Sequence, residues 1–145
     1  MWDLRSEKLI DSIYGPTVAG DSLDMKENLI LTGSHRNHDQ LELWDFSTRR
    51  KVEGIDWEYG YPRENSYVNT CQFSKANNES IVAGCSRINE VVFYDRRDQN
   101  KDFAKIDNKR SGVFCADFAN NSDLYCFSGG NDLVSIGKII PDDKL

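Results

Sequence analysis

An all-β fold is predicted for this 145-residue chain, and three observations predict it. Short segments rich in β-branched, aromatic and leucine residues recur along it: LILTGS, QLELWD, SIVAGCS, EVVFYD, VFCADF, LYCFSG and LVSIGKI. That enrichment favours strands of four to seven residues. Clusters of Asn, Asp, Gly and Ser separate them, and these side chains fold onto nearby backbone in turns. No segment sustains a 3.6-residue apolar period, so helix is expected in under about a tenth of residues.

The elements follow in order. Trp2-Asp3 ends a strand, and LIDSIY, residues 9–14 within KLIDSIY, supplies an outer strand. Residues 22–46, SLDMKENLILTGSHRNHDQLELWDF, hold three strands, with a turn at Lys26-Glu27-Asn28 and KVEGID as a fourth. Residues 70–96, TCQFSKANNESIVAGCSRINEVVFYDR, repeat the order with a turn at Asn77-Asn78-Glu79, and DFAKID follows. Residues 115–139, CADFANNSDLYCFSGGNDLVSIGKI, repeat it again around Asn120-Asn121-Ser122-Asp123. Alternation is visible in Leu41-Glu42-Leu43-Trp44, whereas Ile81-Val82-Ala83 reads as buried on both faces.

The repeats have a period. Met25, Phe73 and Phe118 are spaced by 48 and 45 residues, and Gly33, Gly84 and Gly129 by 51 and 45. A closing pair stands at Trp2-Asp3, Trp44-Asp45 and Tyr94-Asp95, then degenerates to Ile136-Gly137, in steps of 42, 50 and 42. Four strands per unit of this length, closing on Trp-Asp, resemble the WD-repeat β-propeller family. ILTGSHRNHDQLELWD, residues 30–45, is the best single match, and the resemblance runs from Trp2 to Ile139. It implies a partial β-propeller of four-stranded antiparallel blades serving as a rigid interaction platform, and it does not imply catalysis.

Two departures qualify the resemblance. The Gly-His dipeptide that precedes each blade in the family is missing, and the only histidines are His35 and His38. The family's buried hydrogen-bond tetrad is therefore incomplete, with Ser34, Asp39 and Trp44 as the matching residues. The length supplies some three and a half units, where closed propellers have four to eight blades. The expected division is the end of one blade at 1–16, blades at 17–57 and 58–108, a three-stranded last blade at 109–140 and a tail at 141–145. The chain thus reads as the carboxy-terminal arc of a propeller.

Composition narrows the function. Acidic residues outnumber basic ones by 24 to 18, a net charge of −6, which disfavours phosphate-backbone partners. No apolar run approaches the roughly 20 residues of a membrane-spanning helix. The amino terminus lacks the layout of a secretory signal, so a cytoplasmic location is expected, with ciliary or cytoskeletal assembly not distinguished from it. Cys71, Cys85, Cys115 and Cys126 form no C-x-x-C pair and sit in apolar surroundings, so they are expected to be reduced, buried thiols.

Candidate chemistry is sparse. His35 and His38 form H-x-x-H before Asp39, but in a hairpin connection rather than on a helix turn, and no metal is assigned. Glu53, Asp56, Glu58 and Glu64 read as surface charges. No nucleophile has the companions catalysis needs, so no enzyme activity and no cofactor are assigned. Arg49-Arg50-Lys51, Arg96-Arg97 and Lys109-Arg110 read as solvated turns that oppose edge pairing.

The interaction site is expected in the longest connection. The 50-residue step carries about eight extra residues, most of them in WEYGYPRENSY, residues 57–67. Tyr, Trp and Arg dominate interface hot spots, and rigid scaffolds place function on loops. The predicted protein-binding residues are Trp57, Tyr59, Tyr61, Arg63 and Tyr67. Arg36 and His38 join them from the hairpin loop that the resemblance places on the same face. The expected partners are proteins or further propeller blades, with self-association through exposed blade faces. The alternative is a half-propeller that completes a ring with a second chain or copy.

Overall fold

The computed structural model describes residues 1–57, 66–76, 79–107 and 110–140. Among them are thirteen strands and no helix, hence no helix long and apolar enough to cross a membrane. A short hairpin pairs β1 (Trp2–Asp3) with β2 (Lys8–Leu9). The first four-stranded sheet is β3 (Leu23–Lys26), β4 (Leu29–Gly33), β5 (Leu41–Asp45) and β6 (Lys51–Ile55). The second is β7 (Tyr67–Phe73), β8 (Ser80–Ser86), β9 (Glu90–Asp95) and β10 (Lys101–Asp107). The third sheet has three strands, β11 (Val113–Phe118), β12 (Leu124–Gly129) and β13 (Val134–Lys138). Every pairing within these sheets is antiparallel between consecutive strands, and an isolated parallel bridge joins Asp21 to Thr70.

The turns explain the aspartate of the closing pair. Asp3 accepts from the Arg5 N–H at 2.9 Å and the Ser6 hydroxyl at 2.8 Å. Asp45 accepts from the Thr48 N–H at 2.6 Å and its hydroxyl at 2.8 Å, and Asp95 from the Arg97 N–H at 2.8 Å. In each case a carboxylate at the end of one strand caps the turn into the next, as Asp does well. All three carboxyls are held below their ordinary pKa, Asp3 first by the Ser6 hydroxyl, Asp45 by the Thr48 N–H and Asp95 by the Arg97 side chain, which also bonds it.

Two apolar layers join the sheets. Leu31, Leu41, Leu43 and Ile55 of the first sheet meet Val68, Cys71, Phe73, Ile81, Ala83, Val92 and Tyr94 of the second. The other face of the second sheet, Val82, Val91 and Phe93, meets Val113, Ala116, Phe118 and Phe127 of the third. Strand periodicity sends successive residues to opposite faces, so Ile81-Val82-Ala83 is buried on both sides, as its sequence reads.

The repeated glycine marks where the next sheet lands. A Cβ on Gly33 would run into the Val68 side chain, and one on Gly84 would meet the Val113 Cγ1 at 2.6 Å. The third repeat departs by one residue from its sequence alignment. Ile30 pairs with Trp44 and Ile81 with Tyr94, but Tyr125 pairs with Gly137. Gly137, not Ile136, therefore stands at the tryptophan position, and the Tyr125 ring lies over it. By the same register Ser128, not Gly129, stands where Gly33 and Gly84 stand.

The cysteines divide. Cys71 and Cys85 are buried, and desolvation pushes Cys85 up to about 12 and Cys71 further still. Cys115 and Cys126 are exposed, which corrects the expectation of four buried thiols. Both lie on the uncovered side of the third sheet, while their neighbours Ala116 and Phe127 face the second sheet.

Candidate interaction face

One end of the sheets carries the hairpin loops at 34–40, 87–89 and 130–133 and the connections between sheets. Tyr67, at the start of β7, meets two side chains here. The His35 ring lies 4.9 Å from it at 29°, and the Arg87 guanidinium sits 5.1 Å from its centroid. A cation over an aromatic face contributes about 0.5–1 kcal/mol at exposed sites and about 2 where desolvated. His35 Nε2 is 3.0 Å from the Asn69 side-chain oxygen, and the Asn69 amide donates to the Val113 carbonyl at 2.9 Å. The His35 N–H donates to Thr17 O at 3.0 Å. A polar ladder thus ties all three large sheets together beneath the Arg87, Tyr67 and His35 column.

Beside it lies an alternating charge network. Arg36 pairs with Glu42 and also donates to the Asp39 carbonyl at 3.0 Å. Lys51 bridges Glu42 at 2.8 Å and Asp39 at 2.9 Å, and His38 meets Asp39 at 2.9 Å. Glu42 is 2% exposed, and a carboxylate at that depth requires such pairing. The Lys51 and His38 hydrogen bonds hold Asp39 below its ordinary value, and Glu42 with Asp39 raises Lys51. Gly15, at φ 148°, covers this corner, where a Cβ would meet the Trp44 ring at 3.3 Å.

The two histidines go to different partners, His35 to Asn69 and His38 to Asp39. Among the described residues no three His, Cys, Asp or Glu side chains converge on a metal position. Trp44 donates to the Thr32 hydroxyl at 3.0 Å, so Thr32 rather than Ser34 is its partner. Ser34 instead accepts from the Thr17 N–H at 2.9 Å. In the second sheet Ala83, which has no hydroxyl, stands at the position of Thr32, and the buried Tyr94 OH has no hydrogen-bond partner among the described residues. Burial raises its pKa well above the ordinary value.

The predicted binding residues are placed as follows. Arg36 and His38 belong to the charge network, and Tyr67 is the centre of the stack. Trp57 packs edge-on to Tyr94, ring centroids 6.2 Å apart, at the rim of the first apolar layer. Tyr59, Tyr61 and Arg63 lie outside the described residues. His35, Asn69 and Arg87 were not singled out by sequence as contacts. Their signal was faint, with Asn69 inside β7 and His35 and Arg87 just beyond β4 and β8. Of the basic clusters, Arg97 pairs with Asp95 and Glu79, and Arg49 with Asp11.

No family model matches the sequence, and no curated protein matches it significantly. Solved structures do match the fold. The β-propeller domain of Cps50 (Swd1) from Myceliophteria thermophila is 12% identical, with a TM-score of 0.69 over 92% of this chain. U3-55K is also 12% identical, with a TM-score of 0.73 over 88% of this chain. The chain covers 39% and 38% of those two chains. The sheets do not close on themselves. The chain has the fold of a WD-repeat-type β-propeller, in the form of an open arc of antiparallel blades.

Proposed function

We propose that this chain is a non-catalytic protein-interaction module that holds a protein partner on the face carrying Tyr67, Arg36 and His38. The observation that carries the reading is the Arg87, Tyr67 and His35 column on a ladder spanning three sheets. Such a base holds aromatic and basic side chains in place before binding, which lowers the ordering cost of association. Trp57, Tyr59, Tyr61 and Arg63 of the adjoining connection are proposed as further contacts on the strength of their residue types. The net charge of −6 favours a protein partner over a nucleic acid.

The test is affinity capture with the wild type and with the Tyr59→Ala, Tyr61→Ala, Arg63→Ala triple variant, read by quantitative mass spectrometry. Loss of the captured partner at an unchanged melting temperature supports the site. Unfolding of the triple variant makes that connection structural and refutes the assignment, as does undiminished capture.

A further inference from the structure

The two internal sheet contacts are built alike. Leu31, Leu41 and Leu43 on the first sheet form a row that receives the second sheet. Val82, Val91 and Phe93, at the same register positions, receive the third, and all six are at most 3% exposed. The corresponding row on the third sheet is Cys126, Val134 and Ile136, and it is bare. Val134 is 70% exposed and Ile136 76%.

The opposite end of the arc carries the complementary half. Phe73 and Phe118 are the inner-strand side chains that the second and third sheets drive onto the sheets before them. Their counterpart on the first sheet is Met25, which is 50% exposed, with Leu23 beside it at 56%. Both line an apolar groove of about 370 Å³ between the first sheet and residues 1–18, whose walls include Ile13, Val18 and Ile30. The strand count is complementary too. Among the described residues no strand pairs with the outer edge of β13, while β2 pairs with β1 over two residues, extended by bonds between Met1 and Ile10 and Asp11.

We propose that copies of this chain associate head to tail, the third sheet of one entering the groove on the first sheet of the other. The contact repeats, for a third time, the interface already formed twice within the chain. In repeat architectures each unit is stabilised by contact with a neighbour on both sides. Met25 and Leu23 of one copy cover Val134, Ile136 and Cys126 of the other. Residues 8–14 of the first copy pair with the free edge of β13, exchanging a two-residue bridge for a five-residue strand. The interface is heterologous, with different surfaces on the two partners.

That asymmetry supplies the test, using the 145-residue chain with a reductant present so that Cys115 and Cys126 form no cross-link. Sedimentation at tens of micromolar should give a mass at or above twice 16.6 kDa. Ile136→Asp removes the receiving row and Met25→Asp the entering one. Each variant alone should sediment at 16.6 kDa with the wild-type circular dichroism spectrum, since both positions are exposed in the single chain. A 1:1 mixture of the two variants should restore a species of twice that mass, because each contributes its intact end. A monomeric wild type, an oligomer that survives either substitution, or a mixture that stays monomeric would each overturn the proposal.

Discussion

Replacing Gly33 by alanine tests whether the repeated glycine exists to admit the neighbouring sheet. Gly33 has no positive φ, so on backbone grounds alone alanine would stabilise by about 0.4–1 kcal/mol. The surroundings oppose this. The new Cβ would overlap the Val68 side chain and lie 2.8 Å from the Ser22 Cβ. Val68 and Ser22 are both fully buried, and a valine has one stiff rotatable bond with which to yield. Overpacking of that kind costs about 1–3 kcal/mol, so a net loss of about 1–2 kcal/mol is expected. At this chain length that lowers the melting temperature by about 3–6 °C. Val68→Ala alone removes two methyl groups and leaves a cavity, costing about 2 kcal/mol. The Gly33→Ala, Val68→Ala double variant should cost clearly less than the sum, because the small side chain makes room for the added methyl. Urea denaturation at one fixed protein concentration gives the cycle, and fixed concentration holds any self-association constant. Gly54→Ala is the control, since its nearest contact would be 3.4 Å, and it should be neutral or stabilising. Additivity within about 0.5 kcal/mol would refute the reasoning, because coupled neighbours do not add.

Other expectations follow from the same contacts. Trp44→Phe should cost about 1–3 kcal/mol by leaving the Thr32 hydroxyl without its donor, whereas Tyr94→Phe should be neutral or stabilising because that OH has no partner among the described residues. A thiol reagent should label Cys115 and Cys126 rapidly and Cys71 and Cys85 only on unfolding, counted by mass spectrometry under native and denaturing conditions. Asp39, Asp45 and Asp95 are held below the ordinary 3.8, first by Lys51, Thr48 and Arg97 respectively. Their stabilisation is present above 3.8 and lost as pH falls through the lower folded values, so melting temperature should decline below about pH 4. Lys51 is shifted the opposite way, so its share is present below 10.5 and fades as pH rises past that value.

Much of the arc was legible from residue order, for physical reasons that particular residues show. Strand period, turn-forming clusters and the Trp-Asp repeat depend on neighbours within a few residues, so β4, β5, β8 and β9 follow from local patterning. Ile81-Val82-Ala83 announced two covered faces because only a central sheet tolerates apolar residues on both. The third repeat misled by one residue at Gly129 and Ile136, because its first turn is one residue shorter: Phe118 pairs with Tyr125 seven residues on, whereas Phe73 pairs with Ile81 eight residues on. Local composition also placed Cys115 and Cys126 in the interior, since it registers an apolar strand but not whether another sheet covers it. The His35 and Tyr67 stack joins residues 32 positions apart, and the Asn69 to Val113 bond crosses between sheets. Sequence thus determined the strands, the turns and the repeat. Packing of one sheet on the next decided which glycines are indispensable, which thiols are buried and which side chains share a face, because those depend on side chains that meet only once the sheets are stacked.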